Sequence, residues 1–122
     1  MNVLDSSALL AFLQGEPGAA EVMTALATGS ACAAVNWSEV AKKIPYHGGD
    51  WPLARSILES YGLVIEPVTA EDAEAAAALW RSHPALSLAD RCCLALAQRL
   101  DADVLTTDQA WGGVTIRVRL VR

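Results

Sequence analysis

Four short apolar runs are spaced along the chain, at residues 1–4, 30–35, 63–66 and 102–105, and stretches of helical period lie between them. A strand covered on both faces has no reason to alternate polar and apolar residues, so runs of this length suit the buried strands of a parallel sheet. The intervening stretches carry apolar residues at three- and four-residue spacing: Leu9, Leu10 and Leu13; Val22, Met23 and Leu26; Leu53, Ile57 and Leu58. Residues 114–121 differ, setting Thr115, Arg117 and Arg119 against Val114, Ile116, Val118 and Leu120, the half-exposed pattern of an edge strand. Strands separated by helices predict an α/β fold with a mostly parallel central sheet of about five strands, flanked by helices.

At 122 residues the chain has the length of one domain, 1–122, and can bury a core without disulfides or a structural metal. Hydrophobic residues reach 53% and charged ones 19%, an excess that points to tight alanine packing and to an apolar face covered by a partner. The net charge of −5 does not advertise a nucleic-acid surface. Basic residues are nevertheless grouped: Lys42 and Lys43 after Glu39, Arg91 after Asp90, and Arg117, Arg119 and Arg122 at the end. Three cysteines, two of them adjacent at 92 and 93, suit a reducing cytoplasm. No signal peptide or membrane-length apolar run is visible.

Carboxylates recur at the ends of these elements. In 87–90 (SLAD), Ser87 is a natural N-cap and Asp90 falls at the third helical position, ahead of a stripe of Cys93, Leu96, Ala97 and Leu100. The plain reading of Asp90 is therefore a capping box. Asn36 and Glu39 repeat the pattern, with the helix expected to end by Pro45; Thr69 and Asp72 repeat it again in an acidic, solvated turn. Asp5 reads as an N-cap after the first run, and Asp108 as a turn former after the fourth. Each acid alone has an ordinary explanation; the four together do not.

Strand ends on one side of an open parallel sheet form the usual ligand crevice, which would gather Asp5, Glu39 and Asp108. Asp90 belongs to the opposite edge unless residues 83–87 cross back. Two carboxylates about 5 Å apart at an effective dielectric near 20 repel by roughly 3 kcal/mol. Helix N-termini return only about 0.3–1 kcal/mol each, so the cluster needs raised pKa values or a cation. Oxygen ligands without His or Cys select Mg2+ or Mn2+, which serves phosphodiester hydrolysis.

The stretches VLDSSALLAFLQGEPGA, AAVNWSEVAKK, LSLADRCCLALAQRL and ADVLTTDQAWGGVTIRVRLVR together resemble the PIN-domain ribonucleases, and within them the VapC-type toxins of toxin–antitoxin pairs. The resemblance implies a PIN fold and metal-dependent endoribonuclease activity. Asp5, Glu39 and Asp90 resemble the family's core metal-site acids and Asp108 its fourth; Ser7, Thr106 and Asn36 match polar residues beside them, Asn36 as a cap. It further implies an RNA substrate, a homodimer and a small antitoxin, for which the helix over 18–28 beside the helix from Asp50 would offer an apolar groove.

Gln109 stands where relatives often carry a basic residue, and residues 47–80 match only in helical character. Arg91 either meets phosphate or faces solvent. His47 and His83 read as loop residues, and Trp80 and Trp111 as packing rather than base-stacking groups. Two other readings compete: a catalytically silent PIN-like module that binds RNA or protein, and a phosphoacceptor domain of the response-regulator type, which would want a Lys after the late strand.

Overall fold

In a computed structural model, which describes residues 1–109, 111 and 118–121, the apolar runs become strands of a single five-stranded sheet. They are β1 (Asn2–Leu4), β2 (Ser30–Ala33), β3 (Val64–Glu66), β4 (Asp103–Thr106) and β5 (Val118–Leu120), in the order β3-β2-β1-β4-β5. Every strand pairing is parallel, where the sequence suggested mostly so, and β1 lies at the centre with Leu4 opposite Leu105 of β4. The edge strand expected over 114–121 is present at its carboxy-terminal part; residues 114–117, with Arg117, and Arg122 lie outside the described residues.

Alternation along the strands feeds two cores. Leu4, Cys32 and Leu105 point to one face, against Leu9, Leu26, Val40 and Leu58. Val3, Ala33 and Val104 point to the other, against Leu94, Leu96 and Trp111. Helices α1 (Ser6–Gln14), α2 (Ala19–Thr28), α3 (Ala34–Tyr46) and α4 (Trp51–Ser60) supply the first core, α5 (Ala70–Ser82) and α6 (Leu88–Leu100) the opposite side. Among the described residues no helix is long and apolar enough to cross a membrane.

Several local expectations need correction. Helix α3 begins at Ala34 with no side-chain cap, so Asn36 and Glu39 are interior residues rather than a capping pair. It also continues one residue past Pro45, because His47, Gly48 and Gly49 donate back to the carbonyls of Lys43, Pro45 and Ile44. Gly49 is required there: a Cβ would stand 2.9 Å from the Ile44 side chain and 3.0 Å from its carbonyl oxygen. In α6 the whole run from Cys92 to Ala97 is buried, not a single stripe, since the helix lies between the sheet, α3 and α5. Trp80 is 57% exposed, so of the two tryptophans only Trp111 packs inside.

Asp72 does close a capping box with Thr69, but the turn is not solvated: its side chain is buried against Arg99, whose Nε donates to Oδ1 at 2.9 Å and Nη2 to Oδ2 at 3.1 Å. Burial works to raise the Asp72 pKa, and the Arg99 and Thr69 hydrogen bonds outweigh it, leaving the carboxyl below its ordinary value. Arg99→Ala is expected to lower the melting temperature by about 5 °C at neutral pH. Because the folded-state pKa is depressed, that loss is present above the ordinary aspartate range and fades as pH falls through the folded value. Thermal melts at pH 7 and pH 3 check both halves.

Arg99, near the end of α6, meets Asp72 at the start of α5, while Arg91, near the start of α6, donates to the Ala76 carbonyl further along α5. The two helices are therefore antiparallel, and the turn at 83–87 starts α6 at the sheet edge where β1 ends. This is the crossing back that Asp90 needed.

Candidate active site

Asp5 follows β1 directly and caps α1, and it is only 2% exposed. Its Oδ1 accepts from Ser7 Oγ at 2.7 Å and from the Ala8 amide at 2.8 Å; its Oδ2 accepts from Thr106 Oγ1, at the end of the adjacent β4. Thr106 Oγ1 in turn accepts from the Asp108 amide at 3.0 Å, and Ser7 Oγ from the Thr107 amide at 3.0 Å. The β1–β4 register thus locks the first acid to the loop bearing the fourth. Burial pushes the Asp5 pKa up to about 6 against these hydrogen bonds, with the charge of Asp90 adding to the rise.

Glu39 lies on α3, half-buried, with its Oε1 accepting from Asn36 Nδ2 at 3.2 Å. Asn36 is fully buried, and the same Nδ2 reaches the Ala89 carbonyl, next to Asp90, at 3.5 Å. It is thus a tie between α3 and the start of α6, which is why its side chain is not available as a cap. Asp90 does complete the capping box: Ser87 Oγ accepts from the Asp90 amide at 3.1 Å, and Asp90 Oδ2 from the Ser87 amide at 3.2 Å. Burial raises its pKa, and the charges of Asp108 and Glu39 raise it further. Asp90 is therefore a cap whose carboxyl also feels the charges of two of the other acids.

These four carboxylates line a single crevice of about 450 Å3 at the carboxy-terminal edge of the sheet. Ser7 is on its wall, and Thr106 is buried beneath Asp5. Arg91 is neither in the crevice nor spent on solvent: its Nη1 donates to the Ala76 carbonyl at 2.7 Å and its Nε to that of Leu86 at 3.4 Å. Three ionisable lining residues stand outside the anticipated set. Glu16 follows the end of α1, while Lys43 and His47 continue from Glu39 at four-residue intervals. That interval is the signal that places Lys43 on the Glu39 face, and it failed for His47 alone, which lies beyond the Pro45 at which α3 was expected to stop.

Among the described residues no three Asp, Glu, His or Cys side chains enclose a metal position. The four anticipated acids nonetheless offer hard oxygen donors in a crevice with room for several waters, which fits an ion held by one or two carboxylates and keeping most of its water, as Mg2+ commonly is. The three cysteines are free and buried, and burial raises all three thiol pKa values, so they add no soft ligand.

A second depression, apolar and about 310 Å3, adjoins the crevice. Leu13, Ile44, Leu53, Ala54 and Ile57 form it, so it lies between α1, α3 and α4 and not between α2 and α4, because α2 packs on α1 and β2. Gln14 and His47 border both depressions.

The PIN domain model matches residues 3–115, and the chain belongs to the PIN-domain family. A toxin–antitoxin complex from Klebsiella pneumoniae contains a chain similar over 98% of this one and 96% of its own length, at 22% identity and a TM-score of 0.79. VapBC2 from Rickettsia felis, solved on a DNA fragment from its promoter, is similar over 99% and 98% at 12% identity and a TM-score of 0.74. VapC20 from Mycobacterium tuberculosis, a Sarcin-Ricin loop cleaving toxin, is similar over 96% and 99% at 18% identity and a TM-score of 0.71. The fold is thus the one these toxin–antitoxin proteins share, and the response-regulator alternative is set aside. No curated protein matches the sequence.

Proposed function

We propose that this PIN domain is a divalent-metal-dependent endoribonuclease of the VapC type, the toxin of a toxin–antitoxin pair. The observation that carries the reading is the meeting of Asp5, Glu39, Asp90 and Asp108, from four separate parts of the chain, around one crevice with Asp5 buried at its floor. A buried acid with a raised pKa beside three further acids is costly unless a cation is to join them. The family and the toxin neighbours support the same reading.

Asp5, Glu39, Asp90 and Asp108 would hold the ion, directly or through water. When bound, Mg2+ or Mn2+ supplies a more acidic water and neutralises charge on the scissile phosphate. The chain's own part is positioning. Ser7, Ala8 and Thr106 fix both oxygens of Asp5, Asn36 draws Glu39 towards the start of α6, and Ser87 fixes one oxygen of Asp90 and leaves the other for the crevice. The adjoining apolar hollow suits a short amphipathic antitoxin helix. Trp80 and Leu88, exposed at 57% and 62% on either side of the α5–α6 turn, offer an apolar face for a second copy.

Incubation of the purified chain with bulk RNA, with and without EDTA, tests the proposal. Cleavage should fall at least about 100-fold with the chelator and return with Mg2+ or Mn2+. Cleavage that survives chelation overturns the metal mechanism, and no cleavage with either ion overturns the nuclease reading.

A further inference from the structure

The crevice poses an electrostatic problem that the four acids do not solve. Five carboxylates line it, counting Glu16, and the chain as a whole carries −5, yet an RNA strand must bring phosphates into it. Among the described residues Lys43 is the one lysine or arginine on its wall. None of the described arginines lines it: Arg55 is on Glu59, Arg91 on backbone carbonyls, Arg99 on Asp72, Arg119 in a separate depression beside α2, and Arg81 exposed in the last turn of α5.

Lys43 is exposed and forms no salt bridge among the described residues, although Glu39 stands four residues before it, the spacing at which such pairs usually close. Glu39 instead accepts from Asn36, whose Nδ2 lies 3.2 Å from its Oε1. Glu39, Lys43 and His47 thus form one line along α3, about 6 Å per step, leading outward from the acids. Tyr46, three residues beyond Lys43, is 80% exposed, and its ring meets the His47 ring edge to face, at 5.2 Å between centroids and 84° between planes. A cation without a salt bridge beside a largely exposed aromatic ring is the combination that holds single-stranded nucleic acid.

We propose that the outer half of α3 is the strand-binding wall of this site, with Lys43 holding a backbone phosphate next to the scissile one and Tyr46 stacking an unpaired base. This rests on the nuclease reading for its substrate. The wall accounts for how an acidic protein admits RNA: one lysine and one divalent ion offset charge at neighbouring points, and the remaining affinity comes from stacking, which the acids do not oppose.

Binding of a short fluorescein-labelled single-stranded RNA, measured by anisotropy in Mg2+ with Asp5→Asn as the non-cleaving parent, tests the proposal apart from cleavage. Adding Lys43→Ala should weaken binding about 5–10-fold and reduce the slope of log Kd against log salt by about 0.7, the share of one phosphate on a single strand. Lys43→Arg should restore both. Tyr46→Ala should weaken binding by at least about fivefold and leave the salt slope unchanged. In the otherwise native chain, Lys43→Ala should raise KM for RNA with kcat within about twofold. Unchanged affinity and slope in Lys43→Ala, or no RNA binding by the parent, overturns the assignment, as does a variant that binds RNA normally but loses a partner protein. RNA bound as expected without cleavage by the native chain would fail the nuclease reading and leave the wall standing.

Discussion

Asp5→Asn will abolish RNA cleavage and make the metal-free protein harder to unfold. Cleavage should fall by about 10^3-fold or more, since the buried carboxylate is the site's innermost ion-holding group in the proposed mechanism. The stability gain follows from where that carboxylate sits. In the folded chain Asp5 releases its proton at about 6, against 3.8 for an ordinary aspartate. The fold therefore binds that proton more tightly than the unfolded chain does. This preference stabilises the protein fully below about pH 4 and is lost as pH rises through about 6. At neutral pH the ionised group costs on the order of 3 kcal/mol, from about two pKa units at 1.4 kcal/mol each.

Asparagine carries no such cost. Its oxygen keeps the Ser7 and Ala8 hydrogen bonds, and its amide can donate to Thr106, whose hydroxyl rotates to accept. Melting in EDTA across pH should show Asp5→Asn higher by roughly 5–10 °C at pH 7.5, with the gap closing towards pH 4. A divalent ion should reverse the order, raising the melting point of the native chain more steeply as pH passes 6. A less stable Asp5→Asn at pH 7.5 would mean that the three hydrogen bonds outweigh burial.

At Asp90 the two uses of one carboxylate can be separated by a pair of variants. Asp90→Asn keeps an oxygen for the Ser87 amide and removes the charge; Asp90→Ala removes both. Both should lose RNA cleavage by about 10^3-fold. Their stabilities should differ by about 1 kcal/mol, the worth of a helix cap, with Asp90→Asn equal to or above the native chain and Asp90→Ala below Asp90→Asn. Single-turnover cleavage and chemical denaturation check the two halves. If Asp90→Asn cleaves RNA at the native rate, the residue is a cap and nothing more.

What the linear chain reveals here depends on how local the deciding contact is. The caps at Asp5, Thr69 and Ser87 are satisfied within three residues, and all three hold in the structure. The strands announce themselves by apolar runs whose neighbours are other apolar runs. Asn36 was misjudged because what claims it is the Ala89 carbonyl, fifty-three positions away, and not its own helix end. Asp72 was misjudged for a similar reason: its companions Glu71 and Glu74 suggest water, and Arg99 arrives from a distant helix to bury it. The direction of α5 was equally invisible, since only its antiparallel pairing with α6 shows that residues 83–87 sit at the crevice edge. His47 was hidden by a proline that carries a strong expectation of helix ending, overridden here by the backbone bonds of the following turn.

Gln14 and His47 line both the acidic crevice and the apolar hollow, so the two depressions adjoin. If the proposed reading holds, a peptide lodged in the greasy side need not alter the acids to silence cleavage; its bulk would obstruct the adjoining crevice. Control of such an enzyme would then be a matter of crowding at a common threshold, with affinity setting the dose and no second conformation to maintain.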